Sequence, residues 1–288
     1  MSDFNTFSFD SFPKELLPHR AERTSKGDFG RVLCVCGSTG MSGAAYLCAK
    51  SAYRTGAGLI EIFTPEENRI ILQSTLPEAI VTPYTAENAE ELLLASLQKA
   101  DVIVCGCGLS VTPLSKKILS VLLHNVDTEK TPLVLDADAL NLISRNPSFL
   151  KYIKNTVITP HALEFSRLFG ASVQEILTTP EEFAFSYAKK HSLICVLKDH
   201  NTVVSDGSDQ LYINNTGNNG MSTGGSGDVL AGILAGLLAQ AKKVTLDTVS
   251  LAVYIHGACG DIAARRLSPY SLMASDLIDA LPLVFNSL

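Results

Sequence analysis

Short runs of Val, Ile, Leu and Cys alternate with helical stretches along this 288-residue chain. Val32-Leu33-Cys34-Val35 precedes a helix predicted over about residues 44–55, and the run Leu59-Ile60-Glu61-Ile62-Phe63 follows it. A run at 101–105 follows a helical stretch over 89–99; further runs at 133–135, 156–158 and 193–197 continue the series. Nearly continuous apolar strands separated by helices predict a parallel sheet covered on both faces. Residues 202–205 and 211–213, joined through Asp206-Gly207, predict an antiparallel hairpin, because Asp-Gly is a strong turn pair. The expected fold class is α/β: a mostly parallel central sheet with helices on both faces and an antiparallel hairpin at one end. No internal repeat, low-complexity tract or linker interrupts it. Residues 26–288 are expected to form a single domain, and residues 1–25 an irregular N-terminal arm.

Ligands of such sheets bind at the carboxyl ends of the strands, and polar or glycine-rich residues follow nearly every run. Gly37–Ala44, Gly106-Cys107-Gly108, Asp136-Ala137-Asp138, Thr159-Pro160-His161 and Lys198 all stand at such ends. Asp136 and Asp138 suit a site or an ordinary turn equally. Lys198 suits a ligand contact or a solvated strand end. His161 alone would pass for a loop histidine, but its place at a strand end favours a site role. His256 sits in a late apolar helical stretch and is expected in the core.

Gly217–Asp228 concentrates five glycines and one carboxylate in twelve residues. Val229, Leu230, Ile233, Leu234, Leu237 and Leu238 follow at helical spacing. A glycine loop opening a buried helix offers free backbone N–H groups at the positive end of the helix dipole, which suits phosphate. An Asp there repels a phosphate, so it gains nothing in a pure cradle. It makes sense as a general base taking a proton from a hydroxyl under attack. The alternative is that Asp228 merely caps the helix, yet a cap needs none of Gly224, Gly225 or Gly227. The chain contains neither G-x-x-x-x-G-K-[ST] nor G-x-G-x-x-G, which sets aside Walker-type and ordinary dinucleotide sites.

A net charge of -6 without basic clusters argues against a nucleic-acid partner. Apolar runs fall short of the ~20 residues of a membrane span, so Gly232-x-x-x-Gly236 is expected to serve close helix packing in a soluble core. Charged residues make up 18%, against about 25% usually, which predicts a buried subunit interface. No signal peptide is visible at the N-terminus, so the cytoplasm is the expected compartment. The seven cysteines form no C-x-x-C pair and are expected to be small buried thiols.

Taken together, Gly217–Asp228, the 26–32 segment Lys-Gly-Asp-Phe-Gly-Arg-Val, Gly37–Ala44, the 54–59 segment Arg-Thr-Gly-Ala-Gly-Leu, Asp136–Asn141 and Thr159-Pro160-His161-x-x-Glu164 resemble, in order, the motifs of ADP/ATP-dependent NAD(P)H-hydrate dehydratases of the ribokinase-like superfamily. The resemblance runs from about Lys26 to the C-terminus. In two places the chain differs: Ala162-Leu163 stands where the family usually has Pro-Gly, and Lys198-Asp199-His200-Asn201-Thr202 where it has Lys-Gly-x-x-Thr. Bifunctional members carry a further N-terminal epimerase domain, for which this chain is expected to have no room.

The resemblance implies a lyase of metabolite repair. A nucleotide phosphoryl group would activate the hydroxyl of hydrated NADH or NADPH, giving NAD(P)H, phosphate and, from ADP, AMP. Asp228 would be the catalytic base, and the loop Gly224, Gly225, Ser226 and Gly227 the phosphoryl-binding anion hole. Lys198, Asp199, His200, Asn201, Thr202 and Gly227 would line the nucleotide; Ala44, Gly108, His161 and Asp228 would touch the hydrate. Glu164 would orient Mg2+ through its waters. A homotetramer is the family expectation. A small-molecule kinase of the same superfamily, acting on a hydroxymethyl compound, would use the same loop and Asp, and a non-enzymatic nucleotide sensor would need no base.

Overall fold

The computed structural model describes residues 4–286. Its strands are β1 (Asn5–Phe7), β2 (Arg31–Val35), β3 (Leu59–Pro65), β4 (Ile80–Tyr84), β5 (Val102–Cys105), β6 (Leu133–Leu135), β7 (Val157–Ile158), β8 (Ile194–Leu197), β9 (Val203–Ser205) and β10 (Gln210–Ile213). They form one ten-stranded sheet in the order β1-β10-β9-β8-β7-β6-β5-β2-β3-β4. From β4 to β8 all neighbours are parallel. β9 runs antiparallel to both β8 and β10, so the mostly parallel sheet and its antiparallel hairpin are as expected.

Two strands depart from that expectation. β4 carries Pro83, which removes a ladder donor; it is tolerated because β4 is the sheet edge. The segment 1–25 is not wholly irregular. Residues 5–7 pair parallel with β10, Asn5 opposite Gln210, and close the other edge. Phe7 and Phe9 pack on Tyr212 at ring separations of 5.4 and 4.8 Å, which anchors the segment. Residues 1–3 of the predicted arm lie outside the described residues.

Alternation along the strands divides the core. Val32 and Cys34 of β2 face one apolar cluster, whereas Leu33 and Val35 face the other. The first cluster packs against the helices Ser42–Thr55, Ser226–Ala241, Leu246–Leu267 and Ala274–Asn286. Ser226–Ala241 approaches Ser42–Thr55 unusually closely. A Cβ on Gly232 would stand 2.0 Å from Ser51 Oγ and 2.1 Å from the Cys48 carbonyl, and one on Gly236 2.7 Å from the Ala52 carbonyl. The G-x-x-x-G spacing therefore serves helix contact in the core.

After β2 the chain winds outward through β3 and β4, then returns to β5 on the other side of β2. The strand order reverses there, and such a switch point opens a crevice at the carboxyl ends of the strands. Cys36-Gly37 and Gly106-Cys107-Gly108 lie at that crevice.

Candidate active site

The carboxyl ends of β6, β7 and β8 place Asp136, Thr159 and Lys198 side by side, because the three strands are adjacent and in register. Asp136 is 1% exposed. Its Oδ1 accepts from Lys198 Nζ at 2.8 Å and from Thr159 Oγ1 at 2.6 Å, and the Cys107 thiol lies 3.8 Å from its Oδ2. Burial alone would lower the Lys198 ammonium, but the charges of Asp136 and Glu164 outweigh it and hold it above its ordinary value.

The glycine loop meets this cluster from the first helical layer. Gly225, at φ +93°, is the N-cap of Ser226–Ala241, so Asp228 is the third helical residue and makes no capping bond. The cap reading therefore fails on geometry. Among the described residues, the N–H groups of Gly225 and Gly227 donate to nothing, whereas that of Ser226 is occupied by the Thr223 carbonyl at 3.3 Å. A Cβ on Gly227 would point at Lys198 Nζ, 3.3 Å away. Burial, then the like charge of Asp136, pushes the Asp228 carboxyl up to about 7, while Cys107 and Lys198 oppose the rise.

These groups border a cavity of about 670 Å3. Of the residues expected from sequence, Lys198, Asp199, His200, Thr202, His161, Glu164, Gly225, Ser226, Gly227 and Asp228 line it. Gly224 and Asn201 are exposed outside its wall. Ala44 and Gly108 also stand outside it, packed so closely that a Cβ on Gly108 would lie 2.7 Å from that of Ala44.

His161 caps the Ala162–Phe169 helix. Its Nδ1 accepts from the backbone N–H groups of Leu163 and Glu164, and the His161 backbone N–H donates to Glu164 Oε2 at 3.0 Å. Ala162-Leu163 thus occupies the first helical turn without disturbing the capping box. Burial lowers the His161 imidazole despite the opposing charge of Glu164. With Nδ1 accepting, a neutral ring carries its proton on Nε2, 3.5 Å from Glu164 Oε1.

Three participants were given no individual role at the site from sequence, and His256 was expected in the core. His256 lines the cavity, and its Nε2–H donates to the Ser226 carbonyl at 2.9 Å. Burial pushes it down to about 4, so it is neutral at physiological pH. Its helix is apolar on either side, and no spacing signal separated it from the core. Thr159 and Cys107 owe their roles to strand register alone. Behind Cys107 the thiols of Cys36 and Cys48 complete a buried group, with sulfurs within 4.8 Å of one another; burial pushes the Cys36 thiol up, and all seven cysteines are buried and free.

Residues 32–283 match the family model of NAD(P)H-hydrate dehydratase. The chain is 40% identical over 283 residues to the bifunctional NAD(P)H-hydrate repair enzyme of Moorella thermoacetica, covering 94% of this chain and 52% of that protein. It thus spans about half the length of such relatives. Among solved structures, a ribokinase-like superfamily protein of Enterococcus faecalis superposes with a TM-score of 0.86 at 31% identity, covering 98% of this chain and 96% of that one. The ADP/ATP-dependent NAD(P)H-hydrate dehydratase of Bacillus subtilis, co-crystallised with ATP and Mg2+, superposes at 0.81 with 31% identity and 94% of each chain covered.

Proposed function

The chain belongs to the NAD(P)H-hydrate dehydratase family, and from that premise we propose that it dehydrates the S-hydrate of NADH or NADPH at the expense of ADP or ATP. With ADP, the hydrate and the nucleotide give NAD(P)H, AMP and phosphate, so the elements of water leave the ring and end in the cleaved nucleotide. One observation carries this reading: the Asp228 carboxylate, raised to about 7, stands in the first turn of the helix that the glycine loop opens, beside that loop's unpaired N–H groups. A hydroxyl under phosphoryl attack needs a base and an anion hole within reach of each other. A nucleotide sensor needs only the second.

Asp228 takes the hydroxyl proton. The free N–H groups of Gly225 and Gly227 face the developing phosphoryl charge, which Lys198 complements. Gly224 borders the same approach, and Ser226 contributes its place in the turn rather than its occupied N–H. Lys198 to Thr202 and Gly227 line the adenine nucleotide; His161, Asp228, Ala44 and Gly108 contact the hydrate. Glu164 is 5% exposed, lines the cavity and leaves Oε1 only loosely engaged by His161. One such carboxylate fits a hydrated Mg2+, which keeps most of its waters, and when bound the ion neutralises phosphate charge. Residues 26–288 act as the single dehydratase domain, in the cytoplasm. The test is direct: hydrated NADH supplied with ADP or ATP should recover the absorbance of the reduced ring, and no recovery with either nucleotide would refute the reading.

Gly224→Val is expected to weaken ADP binding about tenfold or more with little change in melting temperature. Gly224 has open space where a Cβ would stand, so the fold tolerates the side chain, and the effect on ADP follows from the place proposed for Gly224 in the phosphoryl loop. Gly225 is unsuited to this test, since a Cβ there would meet Leu47 Cδ1 at 2.4 Å. Calorimetry with ADP decides it; wild-type affinity would remove the loop from the nucleotide site.

We also propose a homotetramer. Tyr270 is fully exposed and Met273 60% exposed, apolar surface that association would cover. Light scattering should show an oligomer at micromolar concentration; a monomer there would contradict it.

A further inference from the structure

Asp136 and Asp228 stand close together but are not equivalent. Cys107 Sγ, one oxygen of Asp136 and one of Asp228 all lie within 4.8 Å of one another. Two carboxylates at that separation in a buried site do not both ionise freely; their environments decide which takes the proton. Asp136 holds Lys198 at 2.8 Å and Thr159 at 2.6 Å on one oxygen. Asp228 has neither partner; the Cys107 thiol, 3.8 Å from Asp136 Oδ2, also stands within 4.8 Å of an Asp228 oxygen and lowers that carboxyl. Other groups facing Asp228 are Asp138, which opens the Asp138–Arg145 helix after β6, and neutral His256, which reaches the carbonyl of Ser226, two residues before Asp228.

Resting on the dehydratase reading, we propose that Asp136 and Cys107 are positioning residues for the base: Asp136, clamped by Lys198 and Thr159, is the ion-paired member of a carboxylate pair, and the Cys107 sulfur stands beside both so that Asp228 is the member that takes up and releases the proton. Asp136 raises the proton affinity of Asp228 by like charge. The thiol works in the opposite direction, because an S–H donor favours the ionised form. The thiol itself keeps its proton, since the neighbouring Cys36 and its burial push it well above its ordinary value. The pair therefore has two opposed controls of one proton, one just after β5 and one just after β6.

The opposed signs make the test. In Asp136→Asn the like charge is lost and the Lys198 cation is freed, and both effects favour ionised Asp228. Its midpoint should fall by about one pH unit or more, equal to about tenfold in proton affinity. In Cys107→Ala the midpoint should rise. Aspartate labelled with a carbon isotope at Cγ, with the Asp228 signal assigned from Asp228→Asn, reports the titration by NMR without turnover; the acid limb of kcat/KM should follow the same two directions. A merely structural role for either residue would alter rate or stability without opposite shifts. An unmoved midpoint in a folded Asp136→Asn, or a fall in Cys107→Ala, overturns the proposal. If Asp136→Asn fails to fold, Cys107→Ala decides alone: a rise supports the pairing, and no rise refutes it. Because the NMR titration needs no substrate, an enzyme that shows the shifts but ignores NAD(P)H hydrate would refute the function and leave the pair standing.

Discussion

Asp228→Asn is expected to remove most turnover, by roughly 10²–10⁴-fold, while ADP affinity and the fold survive. Asn has the same shape but accepts no proton at neutral pH. It forfeits no capping bond, because Asp228 is the third helical residue and makes none. It also removes a charge that the fold tolerates poorly. The carboxyl stands at about 7 in the folded protein, above the ~3.9 of an unfolded Asp, so the folded state holds this proton more tightly. That contribution to stability is present at low pH and is lost as pH rises from about 4 to about 7. The variant should therefore melt no lower than the wild type at pH 8, and ADP should bind as well or slightly better. Parallel measurement of kcat and melting temperature on one preparation checks this. Activity within a few-fold of wild type would show that another group is the base.

Gly232→Val is expected to have the largest effect on stability. Its Cβ would overlap Ser51 Oγ and the Cys48 carbonyl at about 2 Å, both on the facing Ser42–Thr55 helix. Replacing Gly in a helix ordinarily gains a few tenths to ~1 kcal/mol, but overpacking costs about 1–3 kcal/mol or more, and backbone cannot step aside as a side-chain end can. At about 2–4 °C per kcal/mol for chains approaching this size, the melting temperature should fall by several degrees, with loss of soluble protein at the extreme. The displaced helix begins at the glycine loop, so ADP affinity should fall as well. Calorimetric scans of both proteins test the close packing; coincident melts would contradict it.

The regular part of this fold was legible because buried parallel strands have to be apolar on both faces, and residues 32–35, 102–105 and 133–135 state that openly. β4 was hidden by Pro83, which reads as a breaker yet is harmless on an edge. β1 was hidden because three residues, Asn5-Thr6-Phe7, carry no period; their pairing with β10 is a long-range event backed by aromatic contacts. The glycine loop and Asp228 stood out because close backbone approach restricts side chains locally. The clamp on Asp136 did not. Asp136, Thr159 and Lys198 are separated by scores of residues and meet only through the register of β6, β7 and β8. His256 was read as core for a similar reason: an apolar helix facing a sheet looks the same whether one of its turns borders a cavity or not.

The central claim is that the ring hydroxyl is phosphorylated before it leaves. Hydrated NADH prepared in heavy-oxygen water carries the label on that hydroxyl. With ADP and the protein in ordinary water, phosphorus NMR should show the label in the released phosphate, with AMP, phosphate and NADH formed one for one. Unlabelled phosphate, or a stable phosphate ester in place of NADH, would contradict the account.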